Sequence, residues 1–138
     1  MERRRIAALA LLERLRRQEI EDKAREFGAL RARLEHLEGA RETLLDSLRR
    51  DAHVTTIEAA PYLGDFIRSV RNEAALLEAE IAQLSPRVAE LEEAIRAEFG
   101  RMKTYETVRV RKEYQLRQHR QRREIEETEE RVLQRWAR

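Results

Sequence analysis

The chain has 138 residues, enough for one domain, and 41% of them are charged, against roughly 25% in an ordinary globular protein. Aromatic residues are only 5%, which excludes a thick globular core, and 41% hydrophobic residues at strict spacing exclude a disordered chain. The net charge of +2, with the two signs interspersed, excludes a strong overall field toward nucleic acid or membrane, and the lack of cysteine excludes disulfides and thiolate metal sites.

The opening MERRRIAALALLERL sets basic residues before an apolar run, as a signal peptide does. That run ends at Glu13, and no small-residue cleavage site follows. It reads as the first turns of an amphipathic helix predicted over about 3–50. Within it Ile20, Phe27, Leu34 and Leu48 share one heptad position, with Arg41 intruding, and Leu30, Leu37 and Leu44 supply the other. The connection, about 51–64, loses the heptad phase. It gathers β-branched residues and is punctuated by Pro61 and Gly64. Thr55 with Glu58 suits a capping box for one short turn, and Asp65 suits the N-cap of the second helix.

That second helix is predicted over about 65–136. Ile67, Ala74, Ile81, Val88, Ile95 and Met102 fall on one seam position, and Val70, Leu77, Leu84, Leu91 and Tyr105 on the other, with Glu98 the one interruption. The phase crosses Pro86 without a slip, which favours one bent helix. Ser85 capping a new helix, with Pro86 at its first position, is the alternative. No segment reaches the roughly 20 apolar residues of a membrane span.

Two apolar stripes joined by one short connection pack best as an antiparallel hairpin. The expected fold is all-α, a long two-helix antiparallel coiled-coil hairpin with the second helix longer than the first. About 45 paired residues at 1.5 Å each give a stiff rod of about 70 Å. A turn near residue 57 brings Phe27 to the region of Val88, sets Arg41 across from Ala74, and puts Glu98 near Arg16 and Arg17. The first helix then ends opposite residue 112, where the seam turns charged at Arg109 and Lys112. Beyond lies a basic stretch over 101–123, with nine Arg or Lys against Glu106 and Glu113, followed by the acidic cluster Glu124, Glu126, Glu127, Glu129 and Glu130. A weaker stripe of Ile125, Val132 and Trp136 returns there, and Ile6, Leu9, Leu11, Leu12 and Leu15 leave spare apolar surface on the first helix. A partner is implied, or the two surfaces cover each other.

His36, His53 and His119 are scattered, no glycine-rich loop follows a strand, and a two-helix rod offers no water-excluding pocket. Neither enzyme activity nor a cofactor or metal is expected. The basic stretch suits phosphates or an acidic protein surface, but aromatics for base stacking are missing apart from Tyr105 and Tyr114, so nucleic acid is not the expected partner.

A heptad hairpin of this size, with VTTIEAAPYLGDFIRSVRNEA at its tip and KTYETVRVRKEY…RREIEETEERVLQR near its end, resembles FliJ, the soluble component of the flagellar type III export apparatus, and the YscO-like stalk proteins of virulence secretion systems. The likeness covers nearly the whole chain. It implies a non-enzymatic stalk that resembles the γ subunit of rotary ATPases. Such a stalk sits in the hexameric export ATPase (FliI-like), bridges to the membrane export gate protein (FlhA-like) and handles export chaperones. It would be cytoplasmic, peripheral to the inner membrane, and monomeric alone. By position, the gate-facing patch near the tip would be Leu44, Phe66, Val70 and Leu77, although Ser47 and Asp51 stand where some relatives place tyrosines. The end that enters the ring would carry Ile6, Leu9, Leu12, Arg120, Arg123, Ile125, Val132 and Trp136. Two rivals to this reading are a structural coiled-coil scaffold that self-associates and a basic coiled-coil arm that binds nucleic acid.

Overall fold

The computed structural model describes residues 1–51 and 60–137. Among them the chain is two helices packed against each other: α1, Glu2–Asp51, of 50 residues, and α2, Ala60–Trp136, of 77. Glu2 in the first turn of α1 and Arg49 and Arg50 in its last complement the helix dipole.

α2 begins at Ala60 and not at Asp65. Pro61 stands in its first turn, where the missing N–H removes no helical hydrogen bond, so the residue that reads as punctuation instead helps start the helix. Gly64 and Asp65 then lie inside the helix, and Asp65 pairs with Arg68 at 3.7 Å instead of capping. Thr55 and Glu58, read as a capping box, lie outside the described residues. α2 also runs through Pro86 as one helix. Proline there leaves the carbonyl of Ala82 without its usual donor, and that loss falls on the exposed side, away from the buried seam.

The chain packs as two compact units, Asp22–Ile95 and Met1–Glu21 with Arg96–Arg138. In the first, Leu37, Val70, Ala74, Val88 and Leu91 are buried, and Phe27, Leu30, Leu34, Leu44, Leu77, Ile81 and Leu84 are half-buried along the same seam. Glu26–Arg87 at 2.9 Å and Arg33–Glu80 at 3.2 Å cross between the helices at its margins. Glu26 holds the Arg87 guanidinium above its usual pKa. In the second unit Arg16 reaches Glu98 at 3.1 Å and Lys112 reaches Glu2 at 3.4 Å. All four of these cross-helix pairs centre on chain positions 56–57, the antiparallel register the heptads predict.

Gly28, Gly39, Gly64 and Gly100 lie within helices, all with ordinary negative φ, and a Cβ at any of them meets nothing within 4 Å. Helical glycine costs about 0.5–1 kcal/mol relative to alanine through the entropy of the unfolded chain. Gly28→Ala and Gly100→Ala should therefore each stabilise the fold by about 0.5–1 kcal/mol, read as a higher thermal midpoint by circular dichroism. A lowered midpoint would mean that these positions are not regular, open helix.

Candidate interaction surfaces

With only two helices, each can bury one stripe, and every other face stays in solvent. The seam of the unit Met1–Glu21 with Arg96–Arg138 is charged. Counting back by sevens from Ile20 puts Glu13 and Ile6 on the same seam position, and Glu13 is buried, 4% exposed. Arg109 answers it from α2: its Nε donates to one Glu13 carboxylate oxygen, its Nη2 to the other at 3.3 Å, and its Nη1 to Glu113 at 2.9 Å. Glu13 first, and Glu113 second, raise the Arg109 guanidinium above its ordinary pKa. That contribution is complete below the ordinary guanidinium value and is lost only above the raised one, so the pair stays ionised on the arginine side throughout the working pH range.

Glu98, 5% exposed, is held in the same way. It accepts from Arg16 at 3.1 Å across the seam and from Arg101 at 2.7 Å on its own helix. Arg17, the other partner the register offers, is exposed. Sequence reading identified Glu98 and missed Glu13; the same seven-residue count, carried back past Ile20, reaches it.

Near the connection, Ala40, Thr43 and Leu44 of α1 face Glu73, Leu76, Leu77 and Glu80 of α2 across an open groove of about 500 Å³. It joins Leu44 and Leu77 of the predicted tip patch. Phe66, from the same patch, is half-buried, but Val70 is only 7% exposed and offers a partner no surface, because its position places it in the seam. Leu76, which sequence reading passed over, is 70% exposed beside the groove. The signal for it was the doubled leucine of "AALLEA", whose second member the seam uses and whose first it does not.

In the other unit, Ile6, Leu9 and Leu12 are half-buried, and Ile6 lines a shallow pocket of about 310 Å³ with Arg3, Glu113, Leu116, Arg117 and Arg120. Ile6 and Arg120 of the predicted ring-entering set are thus brought together. Arg123, Ile125, Val132 and Trp136 lie elsewhere, on a stretch, residues 117–137, that is exposed throughout. Trp136 is 85% exposed and Leu133, also passed over by sequence reading, 69%.

His36 and His119 are exposed, and His53 lies outside the described residues. Among the described residues no three His, Asp or Glu side chains gather as metal ligands, and no helix is long and apolar enough to cross a membrane. No protein-family model, curated protein or solved structure matches the chain.

The charged seam makes an asymmetric prediction. Glu13→Ala should cost about 1–3 kcal/mol, since it strips Arg109 of its main partner. Replacing both Glu13 and Arg109 with leucine should be neutral or stabilising, because well-packed apolar residues remove the desolvation cost of both charges. Chemical denaturation of the two variants checks this, and equal destabilisation by both would exclude the pairing as the source of the cost.

Proposed function

We propose that this chain is a non-enzymatic stalk and adaptor of a type III protein export apparatus, of the FliJ and YscO-like kind. On this reading one helix hairpin contacts the hexameric export ATPase through its termini. It contacts the export gate through the surface near the connection, and it also serves export chaperones. The observation that carries the reading is the inequality of the helices. α2 outlasts its pairing with α1 and leaves residues 117–137 exposed, with a basic block followed by an acidic one and with Ile125, Val132 and Trp136 uncovered. A stalk needs such a tail to enter a ring, and it needs a second contact region, which the groove at Leu44, Leu76 and Leu77 supplies. The buried ion pairs support it further, since they hold the two helices in one register while the termini carry load.

The test is ATP hydrolysis by the export ATPase encoded in the same genome, with and without this chain. Stimulation is expected, and it should fall as salt rises from about 0.1 to about 1 M, where the screening length drops from about 10 Å to about 3 Å. Arg120→Glu with Arg123→Glu should remove most of it. Leu76→Glu should leave it intact while weakening capture of the gate protein. Failure of the chain both to bind the ATPase and to change its rate would end the stalk reading.

A further inference from the structure

The first turns of α1 present a face that neither the seam nor the stalk reading uses. Seen down the helix at about 100° per residue, Arg3, Leu11, Arg14 and Gln18 fall within about 40° of Ala7. Arg4 stands about 60° to one side, and Leu15 and Arg17 mark the two edges at about 80°. All of these are exposed, Leu11 by 49% and Leu15 by 53%. Among the described residues those two leucines, with Met1, are the large apolar side chains that α1 leaves exposed. Ile6, Leu9 and Ile20 instead turn toward α2 and are half-buried.

The charge on this face has one sign. Residues 2–18 hold two acids, Glu2 and Glu13. Both lie about 120° or more round the helix from Ala7, where Lys112 and Arg109 of α2 engage them. Glu19, also about 120° away, is held by Arg16. The next acid on the line itself is Glu21, past Gln18 at its far end. Arg3, Arg4, Arg14 and Arg17 are in no ion pair among the described residues. α2 extends the basic surface: Arg117 and Arg120, likewise unpaired, rim with Arg3 the shallow pocket over Ile6 and Leu116. Glu113, in the same pocket, is already held by Arg109. A chain of nearly balanced overall charge thus sets a block of uncommitted arginines beside exposed leucines.

We propose that this face docks on the surface of a lipid bilayer rich in anionic headgroups, with the first turns of α1 lying along it. Arginine and leucine share the face, so guanidinium groups hold headgroup phosphates while Ala7, Leu11 and Leu15 enter the boundary between headgroups and acyl chains. The arginine stems are apolar and span from the level of the leucines to the charged layer. Nucleic acid would leave the leucines idle, and no aromatic side chain stands on the face to stack on a base. An acidic protein would cover the leucines only with a matching cleft, whereas a bilayer accepts a convex helix as it is. The contact is peripheral, since among the described residues no helix is long and apolar enough to cross a membrane. The stalk reading reaches a membrane only through the gate protein, so contact with lipid itself goes beyond it.

Vesicles of phosphatidylcholine with about one third phosphatidylglycerol should carry the free chain in flotation at about 0.1 M salt, at least about tenfold more tightly than phosphatidylcholine alone. Near about 1 M salt that binding should fall about tenfold or more. Each arginine near an anionic surface strengthens binding about fivefold, so Arg3→Glu/Arg14→Glu should lose at least about tenfold. Leu11→Ser/Leu15→Ser, with the charge unchanged, should lose several-fold. The lack of cysteine allows a single environment-sensitive dye. On Leu11→Cys its emission should shift to the blue when anionic vesicles are added. On Gln115→Cys, about 160° round α2 from Arg117, it should not. No binding to anionic vesicles in low salt, equal binding to neutral ones, unchanged binding of either double variant, or a dye that responds at both positions would overturn the proposal. Binding of polyglutamate or duplex DNA without binding of vesicles would assign the face to protein or nucleic acid, and would overturn it too. Circular dichroism of each variant shows that it stays helical, and no ATPase enters these measurements, so the outcome is independent of the stalk reading.

Discussion

Each of the two units depends on one seam between its two helical segments. Each helix has one stripe to bury and only the other helix to bury it against, so among the described residues no side chain is wholly removed from water and only a handful fall below a tenth exposed. In such a thin core the contribution of each buried position is large compared with the few kcal/mol that separate folded from unfolded chains. Positions off the seam are nearly unconstrained, which is why four glycines and a proline are tolerated in long helices.

The seam differs in chemistry between the two units, and the difference has a physical consequence. In the unit Asp22–Ile95 it is aliphatic, and a helix could slide by one heptad at modest cost, because leucine meets leucine again. In the other unit it contains Glu13 and Glu98, each buried and each held by an arginine of the facing helix. A slip of seven residues would separate both pairs and leave two buried carboxylates unanswered, at a cost of several kcal/mol. Buried ion pairs add little net stability, but here they make one register strongly preferred over its neighbours. A hairpin whose ends have to meet partners at fixed positions needs that constraint more than it needs extra stability.

The uncovered surfaces then have an order to them. The groove at Leu44, Leu76 and Leu77 is an apolar gap rimmed by acids, and residues 117–136 form the exposed end of α2, with an uncharged line of side chains along it. A lone solvated helix of that length gains nothing from leaving those positions uncharged. Surface helices usually fill such positions with ion-pairing residues.

Much of this was legible in the heptads. The two helices, their antiparallel order, the register centred near residue 57, the Arg16–Glu98 contact and the charged end of the seam at Arg109 and Lys112 all follow from spacing, because a coiled coil translates sequence period directly into facing positions. The start of α2 was misread because Pro61 and Gly64 serve as well inside a first turn as in a loop, and composition does not separate the two. Glu13 falls on the seam count only when it is carried back past Ile20, and that Arg109 answers it from 96 positions away is a property of the fold. Val70 of the tip patch is buried, and Leu76, outside that patch, is exposed, because a patch assigned by position along the chain ignores which side of the helix each residue occupies. The sequence by itself determined that two helices pair and in which register, since period and phase are properties of the chain. Only the tertiary structure decided which charges the seam encloses and which faces remain open to a partner, since burial depends on what the opposite helix covers.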